Sequence, residues 1–282
     1  MEIIWYASGY RSSCDILGDC LNKFSKHNFI KIRPGEPIPN GDIFIGSYRH
    51  FDDSDTYKDI IINFDENNIY LFAHGISKLE SQDFMFLRRN WEKRANRCHK
   101  ILVSSHYIQD LFKNAGIKTQ RLPFGVDTNL FHQTTPITGK EFGMAFAPGK
   151  GHRKGEEFAL QQKSINITFA HHKYKDMPRF YNSIDCLLVL SEDDYRETFC
   201  LPILEAAACG RPVFSTNVGV AYELIDYTLS TGYIGNKYEI IELCEDITTE
   251  RLSEMGKRIY KQVRENWSWK KIIKIWDNYF ES

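Results

Sequence analysis

Two α/β domains of the Rossmann-like kind are what this 282-residue sequence predicts, and three observations predict them. The chain exceeds the usual size of one domain, so two are the default expectation. Short, wholly apolar runs such as Cys186–Leu190 recur along it, each closed by polar residues, as strands buried on both faces of a parallel sheet do. These runs alternate with turns and with stretches of helical spacing, the pattern that builds βαβ units. A hydrophobic fraction of 42% gives both domains enough apolar residues for a core.

In order, Ile3–Ala7 is the first strand, Ser8-Gly9-Tyr10 the turn after it, and Cys14–Phe24 a helix with Ile16, Leu17, Cys20, Leu21 and Phe24 on one side. A single glycine, Gly9, falls well short of a dinucleotide fingerprint. The prolines of Arg33–Pro39 mark a loop. Asp42–Gly46 is a short strand, Ile60–Phe64 reads as another, and Ile69–Ala73 is a buried strand with His74 at its carboxyl end. That end of a strand borders the ligand crevice of an open α/β sheet, although a lone His there also fits a structural role. Arg88, Arg89, Lys93, Arg94, Arg97, His99 and Lys100 form a basic stretch around Trp91, opposed by Glu92. It suits a phosphate-bearing partner or, the favoured reading, a solvated helix face. Ile101–Val103 is the next strand; Ser104-Ser105 caps the helix Tyr107–Ala115, and Gly116 ends it. In Leu122–Phe131, LPFGVDTNLF, Pro and Gly set a turn that Leu130 and Phe131 anchor. Thr134-Thr135-Pro136 reads as a linker, which puts the domain boundary near residue 133.

The second domain opens with the strand Phe142–Ala147 and the loop Pro148–Gly155, which carries Lys150, Arg153 and Lys154 before a helix beginning at Glu156. Flexible backbone and cations just ahead of a helix are the chemistry of a diphosphate site, and the missing G-K-[ST] ending rules out a Walker loop. The gap from Lys154 to the strand Ile165–Ala170 is short, so the domain is pared down. His171-His172 is placed in a loop, with no metal site read there, since adjacent residues of a strand point opposite ways. After Cys186–Leu190 comes a loop with Asp193, Asp194, Arg196 and Glu197, then a helix from about Leu201. Pro202 suits its first turn, Gly210 closes it and Pro212 prevents continuation. Glu197 precedes that helix and Glu205 lies a turn inside it, seven residues between them, so both can face the space beyond the strand ends. Carboxylates there accept hydrogen bonds from sugar and ribose hydroxyls, while the helix start favours a diphosphate. Val213–Ser215 is a strand with Gly219 in the turn after it, Val220–Ile225 starts a helix and Gly232–Gly235 is a turn. Leu252–Val263 and Lys270–Phe280 are amphipathic helices, the last with Ile272, Ile273, Ile275, Trp276 and Tyr279 on one face.

The segment Glu197–Val213, ETFCLPILEAAACGRPV, resembles the E-x7-E signature of retaining GT-B glycosyltransferases, glycosyltransferase family four in particular. LPFGVDTNLF is similar to that family's interdomain junction P-x-G-V-D-x-x-x-F, and the W-S-W start of the last helix to its closing helix. The resemblance covers most of residues 95–282, more loosely the part before. It implies the GT-B fold, two Rossmann-like domains with parallel sheets facing across a cleft: residues 1–133 on the acceptor side, residues 134–282 binding the nucleotide sugar and carrying the closing helix. It implies transfer of a sugar from a UDP- or GDP-linked donor to a hydroxyl, with retention at the anomeric carbon and with no cofactor or obligatory metal. Glu197, His74 and Lys154 are then the catalytic residues. Gly9 comes near the donor diphosphate, Lys154 before Gly155 holds its phosphates, and Lys150 or Arg153 replaces an Arg that the family carries where this chain has Pro148. The backbone of Thr198, Phe199, Cys200 and Leu201 completes the diphosphate cradle, Glu197 holds sugar hydroxyls and Glu205 the ribose. Cys200 stands where the family has Gly and narrows the sugar pocket, which leaves the donor sugar open.

A net charge of -1 excludes a protein whose whole surface clings to nucleic acid. Seven cysteines without a C-x-x-C pair read as reduced thiols of a cytoplasmic protein. With neither a basic leader nor a long apolar stretch, no signal peptide or membrane-spanning helix is expected, and membrane contact would be peripheral. The expected partners are a nucleotide sugar and a glycan or lipid acceptor. A nucleic-acid acceptor, such as a modified base in viral DNA, is the alternative that the basic stretch permits and the net charge does not encourage. A non-catalytic relative that only binds a nucleotide sugar is the third, against which Glu197, Glu205 and Lys154 all speak.

Overall fold

The computed structural model of the protein describes residues 1–7, 13–74, 80, 82–146, 150–170, 173–191, 197–225 and 230–282, with the side chain of Arg49 left aside. Its contacts divide the chain into two units, Met1–Phe124 with Trp269–Ser282, and Gly125–Ser268.

The first unit holds strands β1 (Glu2–Tyr6), β2 (Asn28–Ile32), β3 (Ile43–Gly46), β4 (Ile69–Phe72), β5 (Lys100–Val103) and β6 (Thr119–Arg121). They form one parallel sheet in the order β2-β1-β3-β4-β5-β6, with Ile4 opposite both Ile30 and Phe44. Both faces are covered, so β3 and β4 are buried at every residue. One face packs Ile4, Phe44, Leu71 and Ile101 against Leu87, Trp91, Ile108 and Phe112. The other meets the helices α1 (Ser13–Phe24) and, last in the chain, Trp269–Glu281.

Two features of this unit differ from expectation. Ile60–Phe64, whose isoleucines suggest a strand, lies at the end of a helix, Ser54–Asn63, started by Asp53, whose side chain accepts from the backbone N–H groups of Asp55 and Thr56. The cap outweighs the β-branched run, and Ile61 and Ile62 stay exposed. The closing helix groups with the first unit rather than the second. Its Trp276 ring meets Trp5 edge-on at 6.1 Å and donates from Nε1 to the Pro123 carbonyl at 2.8 Å. Tyr279 and Phe280 pack edge-on against Tyr70.

The second unit has strands β7 (Phe142–Ala145), β8 (Ile167–Ala170), β9 (Cys186–Val189), β10 (Val213–Ser215) and β11 (Gly232–Ile234), all parallel, in the order β11-β10-β9-β7-β8. Phe142, Met144, Leu188 and Phe214 pack on Ile240, Ile241 and Cys244 of the helix Lys237–Asp246 and on Met255 of the helix Thr249–Asn266. From β7 the chain steps outward to β8 and then returns to β9 on the other side. The strand order therefore reverses between β7 and β9, and their carboxyl ends border a switch-point crevice. The sequence is read with its boundary near residue 133; the contacts place it at 124/125, because the junction segment is fastened to this second unit. Phe131 is fully buried against Tyr174 and Tyr181. Thr134 N–H donates to Asn182 Oδ1 at 2.7 Å, and Arg211 Nη2 donates to the Thr135 carbonyl at 2.8 Å.

Candidate active site

Two segments at the β7/β9 switch point build the site. The first comes after β7. Lys150 leads into a 3-10 turn, Gly151–Lys154, which Gly155 ends at φ 76°, in the left-handed region. A Cβ at Gly155 would lie 2.3 Å from the Leu190 carbonyl oxygen at the end of β9, so glycine is needed both for its backbone angle and for this approach. The approach sets Lys154 beside the chain that leaves β9. Lys150 and Arg153 are exposed on the same turn.

The second segment comes after β9. Glu197, Thr198, Phe199 and Cys200 lead into the helix α8 (Leu201–Ala208). Numbered in chain order, that helix comes after α2 (Tyr48–Asp52), α3 (Ser54–Asn63), α4 (Phe84–Ala95), α5 (His106–Asn114), α6 (Glu156–Leu160) and α7 (Met177–Ser183). Val220 N–H donates to the Phe199 carbonyl at 2.8 Å, and a Cβ at Gly219 would fall 2.2 Å from the same oxygen. The turn after β10 therefore presses against the loop and holds it. Cys200 occupies the N-cap at φ 66° and ψ 72°, the left-handed region that an L side chain enters at about 1–2 kcal/mol. The Cys200 side chain makes no capping hydrogen bond, and Pro202 in the first turn of α8 supplies no N–H.

These segments meet in an ion pair: Lys154 Nζ lies 2.5 Å from Glu197 Oε1, with the side chains 16% and 23% exposed. Burial works to lower the Lys154 pKa, but electrostatic interaction with Cys200 and Glu197, together with the hydrogen bond to Glu197, outweighs it, and the value ends above that of an ordinary lysine. Arg153 opposes them with its own positive charge, which brings a second cation into range of Lys154. Cys200 is buried and its thiol is pushed up to about 12 by desolvation, so it is neutral at physiological pH.

One turn into α8, Glu205 is 6% exposed, and its Oε2 accepts from the Tyr181 hydroxyl at 2.7 Å. Burial raises its pKa from 4.5 to about 7, against the pull of the Tyr181 hydrogen bond. Tyr181, on α7, escapes sequence reasoning: it stands 24 residues from Glu205 and no local pattern marks it. Ser191 is a second such residue. Its Oγ, just past β9, is buried without a hydrogen-bond partner among the described residues.

Among the predicted residues, Lys154, Glu197, Thr198, Phe199, Cys200, Leu201 and Glu205 come together in the second unit, with Lys150 and Arg153 on the adjoining turn. His74 belongs to the first unit. It is half-buried past β4, its ring stacked against Phe72 and Tyr48 at 6.4 and 6.1 Å. Gly9 lies outside the described residues, as do His171, His172, Asp193, Asp194 and Arg196. Of the basic stretch, Arg94 makes a two-pronged contact with Asp52 at 2.8 and 2.7 Å, Arg88 pairs with Glu92 and Arg97 donates to the Phe51 carbonyl. These internal bonds claim much of the charge that a phosphate-bearing partner would need. Among the described residues no group of His, Cys, Asp and Glu is gathered to hold a metal ion, and no helix is long and apolar enough to cross a membrane.

Residues 144–266 match the family model for glycosyl transferases group 1. The match takes in Lys154, Glu197 and Glu205 and spans less than half of the chain. No curated protein matches the chain. Among solved structures it is similar to sucrose-phosphate synthase from Thermosynechococcus elongatus, with a TM-score of 0.73 and 12% identity over 100% of this chain and 98% of the other. Anabaena HepE in complex with UDP and glucose gives 0.71 and 14%, over 100% and 99% of the two chains. A glycosyltransferase from Rickettsia africae gives 0.68 and 14%, over 99% and 97%. At such identities the likeness shows the fold alone, which is GT-B with its two Rossmann-like domains, as expected from the sequence.

Proposed function

We propose that the protein is a glycosyltransferase that moves a sugar from a nucleotide-diphosphate donor to an acceptor hydroxyl, with retention, as the E-x7-E type of glycosyltransferase family four does. The observation that carries this reading is the Lys154–Glu197 pair at the β7/β9 switch point, beside a helix start whose N-cap residue, Cys200, makes no capping bond. A cation and amide dipoles, fixed in a partly buried place, suit the charge that develops on a leaving diphosphate. Lys154 holds the diphosphate, with Arg153 or Lys150 as the second cation and the backbone from Thr198 to Leu201 completing the cradle. Ser191 Oγ, buried without a partner among the described residues, offers a further hydrogen bond at that edge. Glu197 accepts from sugar hydroxyls. Glu205, with Oε2 already bonded to Tyr181, takes a ribose hydroxyl on Oε1.

In the transfer, the bond between the anomeric carbon and the β-phosphate oxygen breaks, and its electron pair stays on the phosphate. The acceptor oxygen bonds to the anomeric carbon and passes its proton to the departing phosphate oxygen. Fixed protein charges stabilise the departing phosphate in this scheme, so no bound metal is required of the protein. His74 is the catalytic candidate of the first unit, and the acceptor is a glycan or lipid hydroxyl. HepE is seen with UDP and glucose, which makes UDP-glucose the first donor to try and GDP-sugars the next. The test is nucleotide release from these donors in chelator-containing buffer. Lys154→Ala and Glu197→Gln are expected to abolish it while circular dichroism stays that of the parent. Full activity in both variants would defeat the assignment.

A further inference from the structure

We propose that the Lys154–Glu197 ion pair makes the site discriminate between an intact nucleotide sugar and the spent nucleoside diphosphate, favouring the former. This rests on the function proposed above and adds to it a selection against product.

Without ligand, each of the two groups meets its partner in the other, at 2.5 Å and with little solvent around either side chain. Among the described residues their surroundings give little help. The Cys200 thiol is neutral and buried, and Arg153 is an exposed cation that repels Lys154. A diphosphate that draws Lys154 to itself therefore strips Glu197 of its counter-ion in a partly buried place, where an uncompensated carboxylate is strongly disfavoured. Whether that carboxylate finds a new partner depends on the group the diphosphate carries. A sugar brings hydroxyl groups whose O–H donors can take the place of the ammonium on Glu197, restoring charge-assisted hydrogen bonds. A bare nucleoside diphosphate brings none beyond its ribose hydroxyls, which the proposed function assigns to Glu205. Its terminal phosphate, no longer esterified, carries additional negative charge toward the same carboxylate and adds like-charge repulsion. The pair is thus broken at little cost by the donor and at full cost by the product. Once the sugar has left, Glu197 competes again for Lys154 and helps to expel the nucleotide.

The measurement is calorimetric titration with UDP and with UDP-glucose, repeated with GDP and GDP-mannose, in chelator-containing buffer. In the parent protein the nucleotide sugar of the accepted pair binds more tightly than its bare diphosphate. Glu197→Gln and, as a second variant, Glu197→Ala remove the competing charge. Both are expected to bind the bare diphosphate about tenfold more tightly than the parent, the size of effect expected when a buried charge is no longer left unpaired, and to lose most of the preference for the sugar-bearing ligand. Unchanged or weaker diphosphate binding in both variants, alongside a Lys154→Ala variant that loses both ligands, overturns the discrimination and leaves the proposed site standing. A Lys154→Ala variant that binds both ligands as the parent does, or a parent that binds none of the four, overturns the site itself.

Discussion

Replacing Gly155 by alanine isolates the contact on which the site's geometry rests. At φ 76° an alanine enters the left-handed region, which costs about 1–2 kcal/mol. Its Cβ would also meet the Leu190 carbonyl oxygen at 2.3 Å. That neighbour is the backbone of a residue packed in the core, so relief requires a shift of the turn or of the strand end, at the roughly 1–3 kcal/mol typical of overpacking. The reduced entropy of the unfolded chain returns about 0.4–1 kcal/mol. The balance is a destabilisation of about 1–5 kcal/mol, or a fall in melting temperature of roughly 3–18 °C for a unit of this size. Scanning calorimetry of parent and variant at neutral pH reads it directly. Because the same shift carries Lys154 away from Glu197, the affinity for nucleoside diphosphate should change with it. A variant that melts within about 1 °C of the parent would refute the claim that this approach positions Lys154.

Glu205 makes a prediction with a defined sign. Its carboxyl has a higher pKa folded than unfolded, about 7 against 4.5, so its contribution to stability is full below about pH 4.5 and is lost as the pH rises through 7. The loss is at most about 3 kcal/mol. Glu205→Gln, neutral and of the same shape, should flatten that part of the stability curve between pH 4.5 and 8 in denaturant titrations; a slope equal to the parent's would contradict it. Tyr181→Phe removes the donor that holds the ionised carboxylate, so at pH 8 it should destabilise by roughly 1.5–3 kcal/mol and at pH 4.5 by much less. The Cys200 thiol, buried and pushed up to about 12, should resist iodoacetamide at pH 7.5 in the folded protein, as mass spectrometry of the labelled chain would read.

How far the sequence revealed these features depends on how local each one is. Glu197, Cys200, Pro202 and Glu205 lie within one loop-and-helix segment, so the spacing lets both glutamates face the strand ends, and the family resemblance marks Cys200. Lys154 is legible because it stands in a basic, glycine-rich loop just ahead of a helix and before a glycine, as the phosphate-binding lysine of the resembled family does. The residue that the glycine approaches, Leu190, is not legible, since that contact joins two strands through folding. Tyr181 and Ser191 are hidden for the same reason. Each matters through a partner, or the lack of one, that only packing decides. The three consecutive isoleucines at 60–62 mislead because their β-branching is read without the cap at Asp53, which sets the helix. The closing helix shows its apolar face in the sequence, but the surface it covers, Trp5 and Tyr70, lies more than 190 residues away in the chain. Pro136 suggests a linker by composition. Asn182 and Arg211 tie the residues just before it to the second unit, and that moves the boundary.

The most direct measurement is where a nucleoside diphosphate sits in crystals of the protein soaked with it. The account predicts phosphate oxygens within about 3 Å of Lys154 Nζ, beside the first turn of α8, with Glu197 parted from the lysine. A diphosphate bound elsewhere, with the Lys154–Glu197 pair intact, would contradict it.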